Sequence, residues 1–437
     1  MKQKYILLIL ILSLPVLLLS GCWDRQEPED RALIVVAGYD YNPERELFQL
    51  FLQITTPQGG EDGGQQNENP PYWTVSAWGH TPIEALANIR KKVSRTLFYS
   101  HLNLLVISDT LVEEKGLIPV MDALSRSRQS RPIVQLAIAK EDVEEILNSD
   151  FPIEPDAGKG LINLILFTEQ ELKTAIVQNG KDILNKLTTP GIEPISIYLK
   201  LLEEDNEDTK EEKKEKEENE EGDDAENDQL QEDTPPRVKV DGLAAFRNNI
   251  MTGKLKDNEA LGWNLITGQS DVSLINITYP SKNNTEADKS GDDTGDDTHD
   301  IIRSTIRTKR SRQKIIPVID EQNQPAIEIK LSVEGRIIDF TGPVSLKEES
   351  EITRSLERRL AEAVRNKAYK AVYRAQELKS DIFGFGNAFF RLKHDRWQDF
   401  EKNWPEIFQQ LYVDIQVEAT ITRSGMVNEG LIQQWEY

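Results

Sequence analysis

One thiol stands in the 437 residues, Cys22, directly behind Leu19-Ser20-Gly21. A cysteine sulfur is the nucleophilic side chain that can take a diacylglyceryl group as a thioether, and small residues before it give a peptidase access to the preceding bond. The quartet closes an apolar run over 5–19, broken only by Ser13 and Pro15 and preceded by Lys2 and Lys4, which is the layout of an export signal. That run falls short of the ~20 apolar residues a permanent span needs, so an uncleaved anchor helix is disfavoured. Cleavage between Gly21 and Cys22 is expected, leaving Cys22 as the first mature residue with an S-diacylglycerol and an N-acyl group. Each buried methylene adds about 0.8 kcal/mol, so two chains hold where one binds reversibly. With no second thiol, an outward-facing domain here has no intramolecular disulfide and rests on its cores alone.

No other residues assemble into a catalytic set. The four histidines, His80, His101, His299 and His394, show neither H-E-x-x-H nor paired spacing, so zinc and cysteine-protease sites are unsupported. Gly384-x-Gly386 lacks the third glycine and the strand of a dinucleotide fold and reads as a tight turn. Asp381-Ile382-Phe383-Gly384 lacks the glycine loop and H-R-D segment of a kinase. The stretch GDDTGDDTHD within 282–300 lacks the ligand spacing and closing Glu of a calcium loop. His101 reads as a structural hydrogen-bonding residue. The expectation is a non-enzyme with no catalytic residue, no metal and no cofactor, and no ligand pocket is assigned. Two features suit binding. Arg303, Arg307, Lys309, Arg310, Arg312 and Lys314 form a basic run that suits either anionic headgroups or a charged, solvated edge strand, and the second is favoured. Phe383, Phe385, Phe389, Phe390, Trp397, Phe400 and Trp404 suit either a docking surface or core packing against a long helix, again with the second favoured.

The elements that position these residues are legible in part. A net charge of −23 argues against a nucleic-acid partner. Over 203–233 acids outnumber lysines 18 to 4, with Leu230 the only large apolar side chain, so a disordered linker is expected and a domain boundary is placed there. Before it, strands over 31–40, 46–55, 72–78, 102–108 and 133–139 alternate with helices over 81–97, 117–125 and from 142. Thr81, Pro82 and Glu84 supply an N-cap, a first-turn proline and a capping-box acid. A strand is expected at 195–202. After the linker come a hairpin over 238–255 turned at Arg247-Asn248-Asn249, strands at 272–279, 301–308 and 326–337, and a helix over 346–378. Leu356, Leu360, Val364, Ala368, Ala371 and Ala375 stripe that helix. A final strand over 413–422 alternates inward apolar residues. The fold class is α+β, multi-domain and mixed α/β, with a C-terminal antiparallel-rich sheet packed on a long helix. The divisions are a signal peptide 1–21, an N-terminal α/β domain 22–150, a small middle domain or extension 151–202, an acidic linker 203–236 and a C-terminal α+β domain 237–437.

Several of these residues, in order, resemble a family. They are Cys22-Trp23-Asp24, LFYSHL over 97–102, GLAAFR over 242–247 with Leu255, Glu259 and Gly262-Trp263, and QELKSDIFGFG over 376–386 with Trp397 and Trp404. The set is similar to the Ger(x)C lipoproteins, the C subunits of spore germinant receptors, over nearly the whole mature chain. The acidic segment and the 282–300 insertion are longer than the family needs. The resemblance implies three domains of mixed α and β structure. It also implies a non-enzymatic subunit in spore germination, tethered to the outer face of the spore inner membrane and assembled with two integral membrane subunits, A and B. Lipidation at Cys22 is the one role it carries to a residue. The competing reading is a lipid-anchored extracytoplasmic solute-binding protein, which would have two similar α/β lobes. A cell-surface hydrolase is weaker, since no acid/base pair is singled out.

Overall fold

The computed structural model describes residues 30–55, 72–126, 133–140, 142–154, 157–202, 237–269, 273–280, 301–341 and 349–422. Gly21, Cys22 and the acidic and 282–300 insertions lie outside the described residues. The first sheet has ten strands, and its main path runs β10-β9-β8-β6-β5-β1-β2-β3. These are β1 (Arg31–Asn42), β2 (Leu47–Thr55), β3 (Tyr72–Gly79), β5 (Leu104–Ser108), β6 (Gln135–Ala139), β8 (Ile195–Leu201), β9 (Val238–Arg247) and β10 (Ile250–Leu255). Short β4 (Thr96–Phe98) pairs with β1 and short β7 (Gln178–Asn179) with β6. All five residues of β5 are buried and its neighbours β1 and β6 run parallel to it, as expected of a strand covered on both faces. One face is covered by α1 (Pro82–Arg90), α2 (Asp109–Glu114), α3 (Ile118–Arg126) and α6 (Gly180–Thr188), the other by α4 (Val143–Leu147) and α5 (Ala157–Phe167).

The sheet does not break where the acidic segment begins. Strand β8 before it and β9 after it pair antiparallel from Ile195↔Ala245 to Leu201↔Val238, so residues 195–255 complete a sheet begun at Arg31.

The second sheet, β11-β12-β13-β14, consists of β11 (Leu274–Pro280), β12 (Ile301–Ile319), β13 (Pro325–Thr341) and β14 (Tyr412–Ile421). Its first three strands are antiparallel and β14 runs parallel to β13. Helix α8 (Glu349–Glu377) lays the stripe Leu356, Leu360, Val364, Ala368, Ala371 and Ala375 on it, each 0 % exposed, against Ile306, Ile329 and Val333. Helix α7 (Asp257–Thr267) packs beside α8, and α9 (Phe385–Leu392), α10 (His394–Phe400) and α11 (Trp404–Gln409) close its end. The fold is thus α+β with an antiparallel-rich sheet on a long helix. No helix among the described residues is long and apolar enough to cross a membrane.

Local chemistry explains the departures. Helix α1 begins as expected, with Thr81 Oγ1 accepting the Glu84 N–H at 3.1 Å, but Glu84 caps the His80 N–H at 2.8 Å. It stops at Arg90, not near 97, because 96–98 pair with β1 as a strand. Helix α2 was not expected; Ser108 caps it by accepting the Leu111 N–H at 3.2 Å. Strand β12 reaches Ile319, eleven residues beyond the expected 308, because exposed charged side chains do not interfere with a ladder to β13.

Candidate functional site

The sequence motifs over 242–263 and 376–386, separated by more than a hundred residues, meet along Ser380-Asp381-Ile382. Asp381 is 3 % exposed. Its Oδ1 accepts the N–H groups of Gly384 at 2.9 Å and Phe385 at 3.0 Å. Its Oδ2 accepts the Gly386 N–H at 2.7 Å and the Trp404 indole N–H at 2.9 Å. One side chain thereby satisfies the first donors of α9 and locks α11 against it. The next carbonyl, of Ile382, accepts the Trp263 indole N–H at 3.0 Å, and the Ser380 hydroxyl donates to the Phe246 carbonyl. Gln376, at the end of α8, donates to the carbonyls of Phe408 at 3.1 Å and Leu411 at 2.8 Å.

A strap from the first sheet's side of the chain, residues 190–193, crosses this motif. Asn387 donates from its backbone to the Gly191 carbonyl at 2.8 Å and from its side chain to the Pro190 carbonyl at 3.1 Å. The Glu193 N–H donates to the Asp381 carbonyl at 2.9 Å, and Glu193 Oε2 accepts the Asn248 N–H at 2.6 Å. Gly191 has φ +68°, and a Cβ there would stand 2.4 Å from the Gly386 carbonyl carbon. The two glycines pack backbone on backbone, a contact any side chain would block. Burial, opposed by its four N–H donors, pushes the Asp381 carboxyl up to about 6. Burial, with Asp381 nearby, pushes Glu193 up to about 7.

Beside this junction lies a cavity of about 290 Å³ lined by Lys186, Ile192, Trp263, Gln313, Ile382 and Phe383 among others. The Lys186 ammonium donates to Gln178 Oε1 at 2.7 Å and stands 5.9 Å from the centroid of the Trp263 ring. Burial lowers it to about 8, against the pull of Asp182. The group set joins structure to structure; none of its donors faces a nucleophile and base in series.

The residues singled out from sequence are scattered. His80 and His101 lie on the first sheet's side and His394 at the start of α10; His299 is outside the described residues. His101 is exposed, its ring 5.9 Å from that of Phe98. Among the described residues no three His, Cys, Asp or Glu side chains form a group able to hold a metal. The aromatic residues pack inward, with Phe389 5.7 Å from Trp404 and Trp397 5.2 Å from Trp404, centroid to centroid; Phe390 is only partly buried. Gly384 does turn the chain, at φ +74°. Sequence reasoning passed over Lys186, Gly191 and Glu193, although Thr189-Pro190-Gly191 carries a turn signal.

Comparison with known proteins covers both halves. Residues 24–201 match the spore germination protein N-terminal domain, and residues 241–425 match the spore germination B3/GerAC-like C-terminal family. Spore germination protein KC of Bacillus subtilis (strain 168) is 27 % identical over 442 residues, covering 100 % of both chains. Spore germination protein GerQC of Bacillus cereus is 22 % identical, over 97 % of this chain and 99 % of its own. The crystal structure of the GerBC protein superposes with a TM-score of 0.48 at 16 % identity, covering 89 % of this chain and 97 % of that one.

Proposed function

Because the chain belongs to the Ger(x)C family of spore germination proteins, we propose that it is the lipid-anchored C subunit of a nutrient germinant receptor. In this reading it is not an enzyme. It sits on the outer face of the spore inner membrane through acyl groups on Cys22 and works beside two integral membrane subunits, A and B. Residues 1–21 are removed as a signal peptide, and the acidic segment 203–236 separates the N-terminal part of the chain, 22–202, from the C-terminal 237–437. The observation that carries the reading is that two halves of one family occur in order behind a Leu19-Ser20-Gly21-Cys22 lipobox. The junction at Asp381 supports it: residues 376–386 are spent on holding the 190–193 strap of the first sheet's side against the helices of the second, which suits a subunit acting through its surfaces.

Cys22→Ala tests the anchor. The parent chain should fractionate with spore membranes and show the mass of a diacylglyceryl N-terminal cysteine, while the variant, still folded, should be released. A variant that stays with the membrane through a carbonate wash and supports germination would rule out Cys22 as the attachment.

A further inference from the structure

We infer that the open face of the second sheet is a binding surface for anionic lipid headgroups, formed by Arg303, Arg307, Arg310, Arg312 and Lys314 of β12. The five do not alternate evenly in the sequence: two are at odd positions and three at 310, 312 and 314. A β-bulge reconciles them. Thr308 pairs with Gly335 and Arg310 with Glu334, leaving Lys309 as the extra residue. Without it, a period of two would turn Arg310, Arg312 and Lys314 into the core. With it, Ser304, Ile306, Thr308 and Ser311 are buried toward α8, and all five basic residues are exposed on the other face. They form a stripe of roughly 35 Å along the strand.

Guarding of an edge explains only part of this. Strand β11 pairs with β12 as far as Arg307 and Ser273 continues to Thr308, so among the described residues β12 is an edge beyond that point and charges there deter further pairing. Arg303 and Arg307, however, lie where β12 is an inner strand, and so do Lys330 and Arg336 of β13, both exposed. Moreover Lys314 stands directly opposite Lys330, and Arg307 opposite Arg336. Like charges directly opposite one another destabilise a sheet, so stability alone would not place them there. Arg310 faces an acid, Glu334, and Arg307 reaches Glu171 at 3.5 Å, an exposed pair of small worth. Asp339 lies opposite Thr305, between Arg303 and Arg307, while Glu328, Asp414 and Glu418 lie toward or on β14 and leave 310–314 with Glu334 as its facing acid. A chain of net charge −23 thus places five basic residues of one strand along one exposed stripe.

The occupant that fits is a planar array of phosphates. A bilayer presents phosphates in two dimensions, which matches exposed basic residues spread along β12 and across to Lys330 and Arg336 of β13. The proposed Cys22 anchor supplies only the setting, holding the surface near a bilayer where weak contacts suffice. The test therefore uses the mature chain with Cys22→Ala, so that failure of the anchor and failure of the surface are read separately. It should co-sediment with phosphatidylglycerol-rich vesicles and not with pure phosphatidylcholine vesicles, with binding lost at high salt. Each basic residue near an anionic surface is worth about fivefold in partition, so R310E/R312E/K314E should weaken it on the order of 100-fold. A matched reversal on the first sheet's side, K91E/K92E, should leave it unchanged. Lys314→Glu alone should raise the unfolding temperature, by relieving the repulsion from Lys330; a fall would mark the charges as structural and overturn the inference. So would absence of anionic-vesicle binding, binding indifferent to the triple reversal, competition by free inorganic phosphate at equal phosphate concentration, or tighter binding to duplex DNA than to vesicles.

Discussion

Gly191 and Gly268 share a left-handed backbone, at φ +68° and +66°, but not a neighbour. A Cβ on Gly191 would stand 2.4 Å from the Gly386 carbonyl carbon, 2.6 Å from the Asn387 nitrogen and 2.7 Å from the Gly386 Cα, all backbone. A Cβ on Gly268 would meet the far end of Gln313, 2.0 Å from Nε2, which can swing away. Gly191→Ala therefore carries about 1–2 kcal/mol for the left-handed conformation and must also push the 384–387 turn by roughly an ångström. That shift loosens N–H donors from Asp381, at about 1–3 kcal/mol for each left buried and unpaired. With two donors loosened the total is about 3–8 kcal/mol. Gly268→Ala carries the same backbone term plus about 1 kcal/mol for the Gln313 bond to the Thr267 carbonyl, measured at 3.2 Å. Denaturant unfolding of the mature chain, followed by tryptophan fluorescence, should place G191A at least 2 kcal/mol below G268A, by order of magnitude. Equal losses in the two variants would mean that the backbone contact between the strap and the Asp381 turn carries no energy.

Three further outcomes follow from the same geometry. Glu193 titrates at about 7 in the folded chain against an ordinary 4.5, so its favourable contribution is complete at acid pH and lost as pH rises through about 7. Glu193→Gln should match the parent near pH 4.5 and exceed it at pH 8 by up to about 3 kcal/mol, checked by denaturation at both values. Leu360→Ala, at a fully buried position between α8 and the second sheet, should cost about 2–5 kcal/mol in the same assay. Trp404→Phe removes the 2.9 Å indole bond to Asp381 Oδ2 and should cost about 1–3 kcal/mol, with the turn at 384–386 exchanging amide hydrogens faster.

The C-terminal part was the more legible in sequence. The stripe on α8 runs long enough to fix both its period and its buried face, and the 238–255 hairpin announces itself at Arg247-Asn248-Asn249, where Asn248 takes φ +59°. What failed did so for local reasons. The apolar spacing of α1 continues past Arg90, but a β-ladder to β1 claims 96–98, and ladders between distant segments leave no local mark. The charges over 309–314 hid the length of β12, because exposed strand residues and loop residues have the same composition. The role of Asp381 was legible only in part: its N–H donors Gly384, Phe385 and Gly386 lie three to five residues on, as at a helix start, but Trp404 and Glu193, which complete the junction, are remote in sequence. The motif residues were recognisable as a set before their shared purpose was. No sequence pattern revealed that β9 and β10, beyond the acidic segment, complete the sheet begun at Arg31.

The most direct measurement is affinity capture of the tagged full-length chain from detergent-solubilised spore membranes, with its companions identified by mass spectrometry. A receptor C subunit should bring two integral membrane proteins, an A and a B subunit, in fixed ratio, and the Cys22→Ala chain should bring markedly less of both. Capture of the chain alone from membranes in which both subunits are present would contradict the assignment.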